Sequence, residues 1–475
     1  VLGLAVPIFV AVLALHGVAG LLYGLLESCL AIRSHEGLAI GISAVAKLLE
    51  ALGWYAGLQV VMWHFVSGLR QHPGQMRWAE DLASQARAWC TLLTHVAAFA
   101  TISACRDLQS FLVLGGPAAL SFLPAWLSVA LCFGLFHLAH LARGGLVQVA
   151  AEARESWGTA AEQADNDFAG LVLSFLNVQA IIDCIAGPPL SPYDKHGHLN
   201  LRDQSGVGIL FMFGLSLIFA CMTGVVTWYL IRKDRSANPH GSPLVEESPG
   251  DDHFAIGFAS FRECLWRLFF IAQMTCAMSF AWCFMFTSKW QVARLLGGKA
   301  FILHSESTGQ SVILALVLSF ITFGLILVLA KVQELDCAGN VANKCTRSIT
   351  GALAILLGFS WEQSFAKGLE VIAELTAEHG LWSPILLKLA LVIVVALILV
   401  PIWGTHILKV MTELQTDIGE RHERTVRRAE LQERKTRIPQ TLPEREEDDD
   451  EEIAPGPSWL CFSCSGPTKR EHQFS

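Results

Sequence analysis

The stretch SVILALVLSFITFGLILVLA, Ser311 to Ala330, runs for twenty residues without a charge or a proline. As a helix rising 1.5 Å per residue it is ~30 Å long, the thickness of a bilayer's hydrocarbon core. A helix on the surface of a soluble domain keeps a polar face; this one is apolar all round, as a membrane span is. Nine further segments read the same way, approximately Val1 to Ile32, Gly37 to Arg70, Ala88 to Leu114, Ala118 to Ala142, Phe168 to Ala186, Val207 to Ile231, Phe254 to Phe286, Ile349 to Glu378 and Pro384 to Lys409. Nothing shows the strict alternation over ~10 residues of a transmembrane β-strand. The expected fold is therefore an all-α, polytopic transmembrane bundle of about ten spans. Turn chemistry separates them, as at Gly115 to Pro117, Pro188 to Pro192 and Asn238 to Pro243.

Composition agrees. The 475 residues are 53% hydrophobic and only 16% charged, with mean hydropathy +0.47, against ~25% charged in a soluble domain. The charge is also concentrated. Thr412 to Ser475 holds 15 acidic and 10 basic residues, leaving 51 charges in the first 411. A soluble enzyme, a disordered chain, a coiled coil and a nucleic-acid-binding domain are excluded on this pattern. Residues 1–411 read as the membrane domain, 412–438 as a charged cytoplasmic helix, and 439–475 as a disordered acidic tail. The first residue is Val, so the chain reads as a fragment or a processed product.

Lys and Arg in short loops set orientation. With the tail placed in the cytoplasm, inner segments carry 16 basic residues and outer ones 6, so an even number of spans puts both termini inside. An internal repeat is also expected. Ala98, Ala100, Gln109, Ser110 and Phe111 match Ala352, Ala354, Gln363, Ser364 and Phe365 at one offset of 254, and Pro124, Leu127, Ala130 and Leu131 match Pro384, Leu387, Ala390 and Leu391 at 260. The two copies, within 37–142 and 311–411, would be parallel, an arrangement known in transporters.

Ionisable groups at membrane depth are costly and tend to mark function. Lys47 and Glu50 share a face of the second span; Arg106 and Asp107 lie in the third, Asp183 in the fifth, Arg262, Glu263 and Arg267 in the seventh, Glu362, Lys367 and Glu370 in the ninth, and Lys388 in the tenth. Lys47, Glu50, Arg106, Asp107, Glu362 and Lys367 are the candidate lining of a polar cavity for protons, ions or a charged solute. The plainer reading makes them structural pairs between helices, or side chains reaching for the interface. Arg106 cannot pair with its neighbour Asp107 on one helix, because adjacent residues diverge by ~100°; on depth, Lys47 is the expected partner of Asp107. Gly358-Phe-Ser-Trp-Glu-Gln-Ser-Phe365 is the most distinctive string. Its Glu362, in mid-span beside Trp361, would be short of water, a setting suited to a proton-coupled carrier. Small hydrogen-bonding residues also make helix–helix contacts.

His64, His95, His137 and His140 fall toward the inner ends of three spans, and imidazoles at one depth could hold haem or metal; no cofactor is expected from the chain as a whole. The 13 cysteines sit mostly within spans and imply no disulfide framework. Cys461 and Cys464 form half a zinc site and fit palmitoylation better. No Walker loop, nucleophile elbow, HExxH or dinucleotide fingerprint occurs. The leading expectation is a transporter or channel for an ion, proton or small charged solute. The alternatives are a receptor or scaffold that shows its acidic tail to a cytoplasmic partner, and a haem- or metal-binding membrane redox protein. The bilayer and a small ion or solute are the expected partners.

Overall fold

Long apolar helices that must bury their few polar groups settle the architecture. The computed structural model describes residues 9–11, 15, 18, 21, 36–71, 76–113, 117–146, 151–186, 205–237, 261–296, 308–334, 340–376 and 382–403. All belong to the first of two units, Val1–Leu414; the second is Gln415–Ser475. The charged helix, the acidic tail, Cys461 and Cys464 lie outside the described residues, as does most of the expected first span.

The described helices are α1 (Glu36–Gln71), α2 (Met76–Val113), α3 (Phe122–Leu146, entered through a short 3-10 turn, Ala118–Ser121), α4 (Ala151–Ala186), α5 (Gly206–Ala237), α6 (Phe261–Leu296), α7 (Thr308–Glu334), α8 (Asn340–Glu374) and α9 (Trp382–Ile402). No strand occurs among the described residues. Pro117 caps the 3-10 turn at φ −69°, where its fixed ring torsion suits a helix start and its missing N–H costs nothing.

Among the described residues, seven helices are long and apolar enough to cross a membrane, over Trp89–Val113, Ala118–Leu141, Ala161–Ile185, Gly206–Lys233, Leu265–Leu295, Ser311–Gln333 and Ser383–Ile402. The protein is thus a helical, multi-pass membrane protein, and among the described residues seven of the expected spans meet that standard. Helices α1 and α8 do not, and each carries charged residues in its middle: Lys47 and Glu50 in α1, Glu362 and Lys367 in α8. Two boundaries also differ from the expected ones. The fifth expected span opens at Ala161 rather than Phe168, because α4 continues through the polar run Glu162 to Asp167. The seventh covers Leu265–Leu295 instead of Phe254 to Phe286, which brings Lys289 and Arg294 into the helix.

Packing sorts the helices into two layers. Alternate helices α2, α4, α6 and α8 form the centre: α4 lies against α2 and α6, and α6 lies against α8. Phe99 of α2 stacks on Phe359 of α8 at 5.5 Å and an 8° interplanar angle. Trp282 of α6 meets Phe359 edge-on at 4.9 Å and Phe175 of α4 at 5.0 Å. Four rings, one from each central helix, therefore form one layer, and each pair adds ~0.5–1.5 kcal/mol beyond its buried area. The Trp282 indole N–H donates to Ser174 Oγ at 3.2 Å, which spares it an unmade bond in an apolar setting. Helices α1, α3, α5, α7 and α9 pack outside this ring. The consequence for exposure is large: the α4 span is 72% buried, and those of α5 and α7 only 22%. Phe320, Phe323, Leu327 and Val328 of α7 are exposed, as a lipid-facing surface requires.

Candidate functional site: ionic clusters within the bundle

Three ion pairs tie the helices together. Lys47 Nζ of α1 lies 2.7 Å from Asp107 Oδ2 of α2, and Ser43 Oγ donates to the same oxygen at 2.9 Å. Ser43 and Lys47 are one turn apart, so both reach the carboxylate from a single face of α1. Arg106 turns the other way, as adjacent helical residues must. Its Nη1 lies 3.1 Å from Asp183 Oδ2 on α4. Gln179, one turn before Asp183, completes this group: with its amide oxygen turned to the guanidinium it accepts from Arg106 Nη1 at 2.9 Å and Nη2 at 3.1 Å.

The third cluster is built on Asp165. Arg267 Nη2 of α6 donates to Asp165 Oδ2 at 3.1 Å and its Nε to Asn166 Oδ1 at 3.2 Å. The Tyr55 hydroxyl of α1 donates to Asp165 Oδ1 at 2.6 Å. The guanidinium lies over Phe136 of α3, with Cζ 4.9 Å from the ring centroid, in cation–π range. Phe136 and Tyr55 in turn touch Phe168, at 6.1 and 5.6 Å. Asp165 is fully buried. A buried carboxylate is tolerable only when paired and hydrogen-bonded, and here a guanidinium and a phenol from two other helices meet that need.

Asp165 is the functional-class residue that the sequence reading misses. It precedes the apolar run from Phe168, among polar residues that resemble the approach to a span. The available signal was spacing: Asp165 and Phe168 are three apart, so the carboxylate continues the buried face of α4. The side chains of Arg262 and Glu263, read from the sequence alongside Arg267, lie outside the described residues.

Glu362 stands apart from these pairs. It is fully buried on α8. It sits three residues after Phe359, ~4.5 Å further along the helix and on a neighbouring part of the same face. Phe359 belongs to the central aromatic layer, and Phe365, one turn beyond Glu362, meets Phe9 edge-on at 5.0 Å. Trp361 donates to Ser319 Oγ of α7 at 3.0 Å, and Ser364 donates to the Ser311 carbonyl at 2.7 Å. Trp361 and Ser364 thus serve the α7–α8 contact.

The remaining candidates are dispersed. Glu50 accepts from the Trp54 indole at 3.4 Å on its own helix. Glu50 and Lys367 are half-buried. Asp107 and Glu362, which become counterparts if the expected repeat slips by one residue, have different surroundings: the Asp107 side chain is 24% exposed and ion-paired, and Glu362 is closed from solvent. His95 is buried, with Nδ1 donating to the Thr91 carbonyl at 2.6 Å. His64 and His137 are exposed. Among the described residues, no group of three or more His, Cys, Asp or Glu is placed to hold a metal ion.

Neither a family model, a curated protein nor a solved structure matches this chain. Function therefore has to be argued from the chain's own geometry. The bundle holds ion pairs near both ends of α4 and a buried carboxylate, Glu362, one turn from Phe359 of the aromatic layer.

Proposed function

We propose that this membrane protein is a transporter or channel for a proton, an ion or a small charged solute, with Glu362 as its central intramembrane acid. The observation that carries the reading is the position of Glu362: fully buried on α8, one turn from Phe359 of the packed aromatic layer. A carboxylate at that depth is expensive, and expensive intramembrane carboxylates mark ion and proton paths. The aromatic layer acts as the closed point of the path. The Lys47–Asp107 and Arg106–Asp183 pairs lie toward one end and Asp165–Arg267 toward the other. On this reading α1, α8 and a helix in Val1 to Ile32 complete ten spans, with both termini in the cytoplasm. The proposed parallel repeat draws support from α2 and α8 both occupying the centre while α3 and α9 lie outside. Superposing residues 88–142 on 345–405 tests it, and helices out of register there would remove it.

The functional test is flux. Protein reconstituted in liposomes carrying a pH-sensitive dye is given a potassium gradient with valinomycin, and proton, sodium and chloride movements are read in turn. The parent protein moves at least one ion, and Glu362→Gln abolishes that flux at unchanged protein density. Equal flux in the variant takes Glu362 out of the mechanism; no flux of any probe in the parent protein removes the transport of these ions.

One observation favours a second reading. The three ion pairs are complete as they stand, which suits helices held together for a receptor or scaffold whose tail recruits a cytoplasmic partner. That alternative requires partner binding to vanish when Arg437 to Ser475 is deleted, with ion flux absent throughout.

A further inference from the structure

The last turn of the α5 span carries two cations held on aromatic faces at the boundary of a lipid-exposed helix. The span ends at Lys233. Arg232 Cζ lies 5.2 Å from the Trp228 centroid. Lys233 Nζ lies 5.9 Å from the Tyr229 centroid and 5.7 Å from that of Trp266 on α6. Tyr229 packs on Phe269 at 4.8 Å, so rings of both helices fix the place of the ammonium group. Trp228 and Tyr229 are themselves 48% and 38% exposed. Among the described residues, neither Arg232 nor Lys233 has a carboxylate within ion-pair distance. Aromatic rings at the end of an apolar span mark the headgroup level of a membrane. The positive donors there are oriented by π-faces and retain their hydrogen-bonding capacity.

We propose that Arg232 and Lys233, set on Trp228, Tyr229 and Trp266, form a binding site for the phosphodiester headgroup of an anionic phospholipid. Phosphate oxygens match the guanidinium fork and the ammonium point charge. The exposed upper part of α5 offers the acyl chains an apolar wall, including Val225 and Met222. The site does not depend on the transport reading. It rests on charge, ring geometry and lipid exposure alone.

The test uses the full chain purified in a neutral detergent, with bound lipid counted by native mass spectrometry during titration with phosphatidylglycerol or phosphatidylcholine. The parent protein binds phosphatidylglycerol more tightly. At ~1 kcal/mol for each basic residue near an anionic surface, removing both charges in Arg232→Gln/Lys233→Gln weakens phosphatidylglycerol binding about 30-fold, with phosphatidylcholine unaffected. Trp228→Leu keeps both charges and removes one ring face; it weakens binding about three-fold, as an exposed cation–π contact implies. Lys388→Gln, which removes one positive charge from α9, leaves binding unchanged. Equal affinity of the parent protein for the two lipids, or undiminished phosphatidylglycerol binding by the double variant, overturns the site. Full displacement of phosphatidylglycerol by excess inorganic phosphate also overturns it, because a lipid site draws on the acyl chains as well as the phosphate.

Discussion

Replacing Asp165 by Ala separates a structural ion pair from an ornamental one. Asp165 is closed from solvent, and Arg267 has a side-chain exposure of 14%, so truncating the acid removes the charge opposite a guanidinium held over Phe136. Breaking a buried pair by removing one partner costs ~3–5 kcal/mol. Tyr55→Phe removes only the 2.6 Å phenol bond. Hydrogen bonds between membrane helices average ~0.6 kcal/mol and reach ~1.7; with an ionised acceptor this one belongs at the upper end. Replacing both members, Asp165→Leu with Arg267→Met, restores much of the loss, because a packed apolar pair has no desolvation cost to recover. The assay is reversible unfolding in mixed micelles by titration with sodium dodecyl sulfate, read by circular dichroism. The expected order of stability is parent, Tyr55→Phe, then Asp165→Ala, with the double variant well above Asp165→Ala. A cost below about 1 kcal/mol for Asp165→Ala, or a double variant no better than the single, would refute the assignment of this cluster as a buried, mutually dependent unit.

Other outcomes follow from the same geometry. Arg106→Ala should destabilise more than Lys47→Ala in that assay, by about 2 kcal/mol, since Arg106 leaves an Asp183 side chain only 2% exposed and Lys47 leaves an Asp107 side chain that is 24% exposed. Gly170→Ala should cost ~1–3 kcal/mol: a Cβ there would lie 2.9 Å from Met274 Cβ, so α4 and α6 must separate; because the clashing atom is a Cβ, Met274→Ala in the same chain should not relieve it. Ser364→Ala should cost ~0.5–1 kcal/mol through its bond to the Ser311 carbonyl, with any ion flux retained; flux lost at unchanged stability would give Ser364 a role in transport.

The membrane class and the positions of most described spans were legible because lipid imposes length and apolarity directly on the sequence. Lys47 was legible as the partner of Asp107, since depth and helical angle both pointed to it. Asp165 was not, because its burial depends on which helices supply Arg267, Tyr55 and Phe136. Hydropathy also could not separate α4 from α5. Both are apolar, but one faces protein and the other faces lipid, and apolar side chains serve in either place. The same limit hid the full burial of Glu362, which no motif announces.

Asp165 and Asp183 stand eighteen residues apart on α4, five full turns, so both carboxylates project from one side of the helix, ~27 Å apart. Their arginines come from different neighbours, α2 at one end and α6 at the other. Twisting α4 about its axis would swing both carboxylates off their partners together. Tilting it about its waist, near Ser174 and Phe175, would carry the two carboxylates in opposite directions, so neither fastening could shift without the other. The two ends of α4 are therefore mechanically coupled across the aromatic layer.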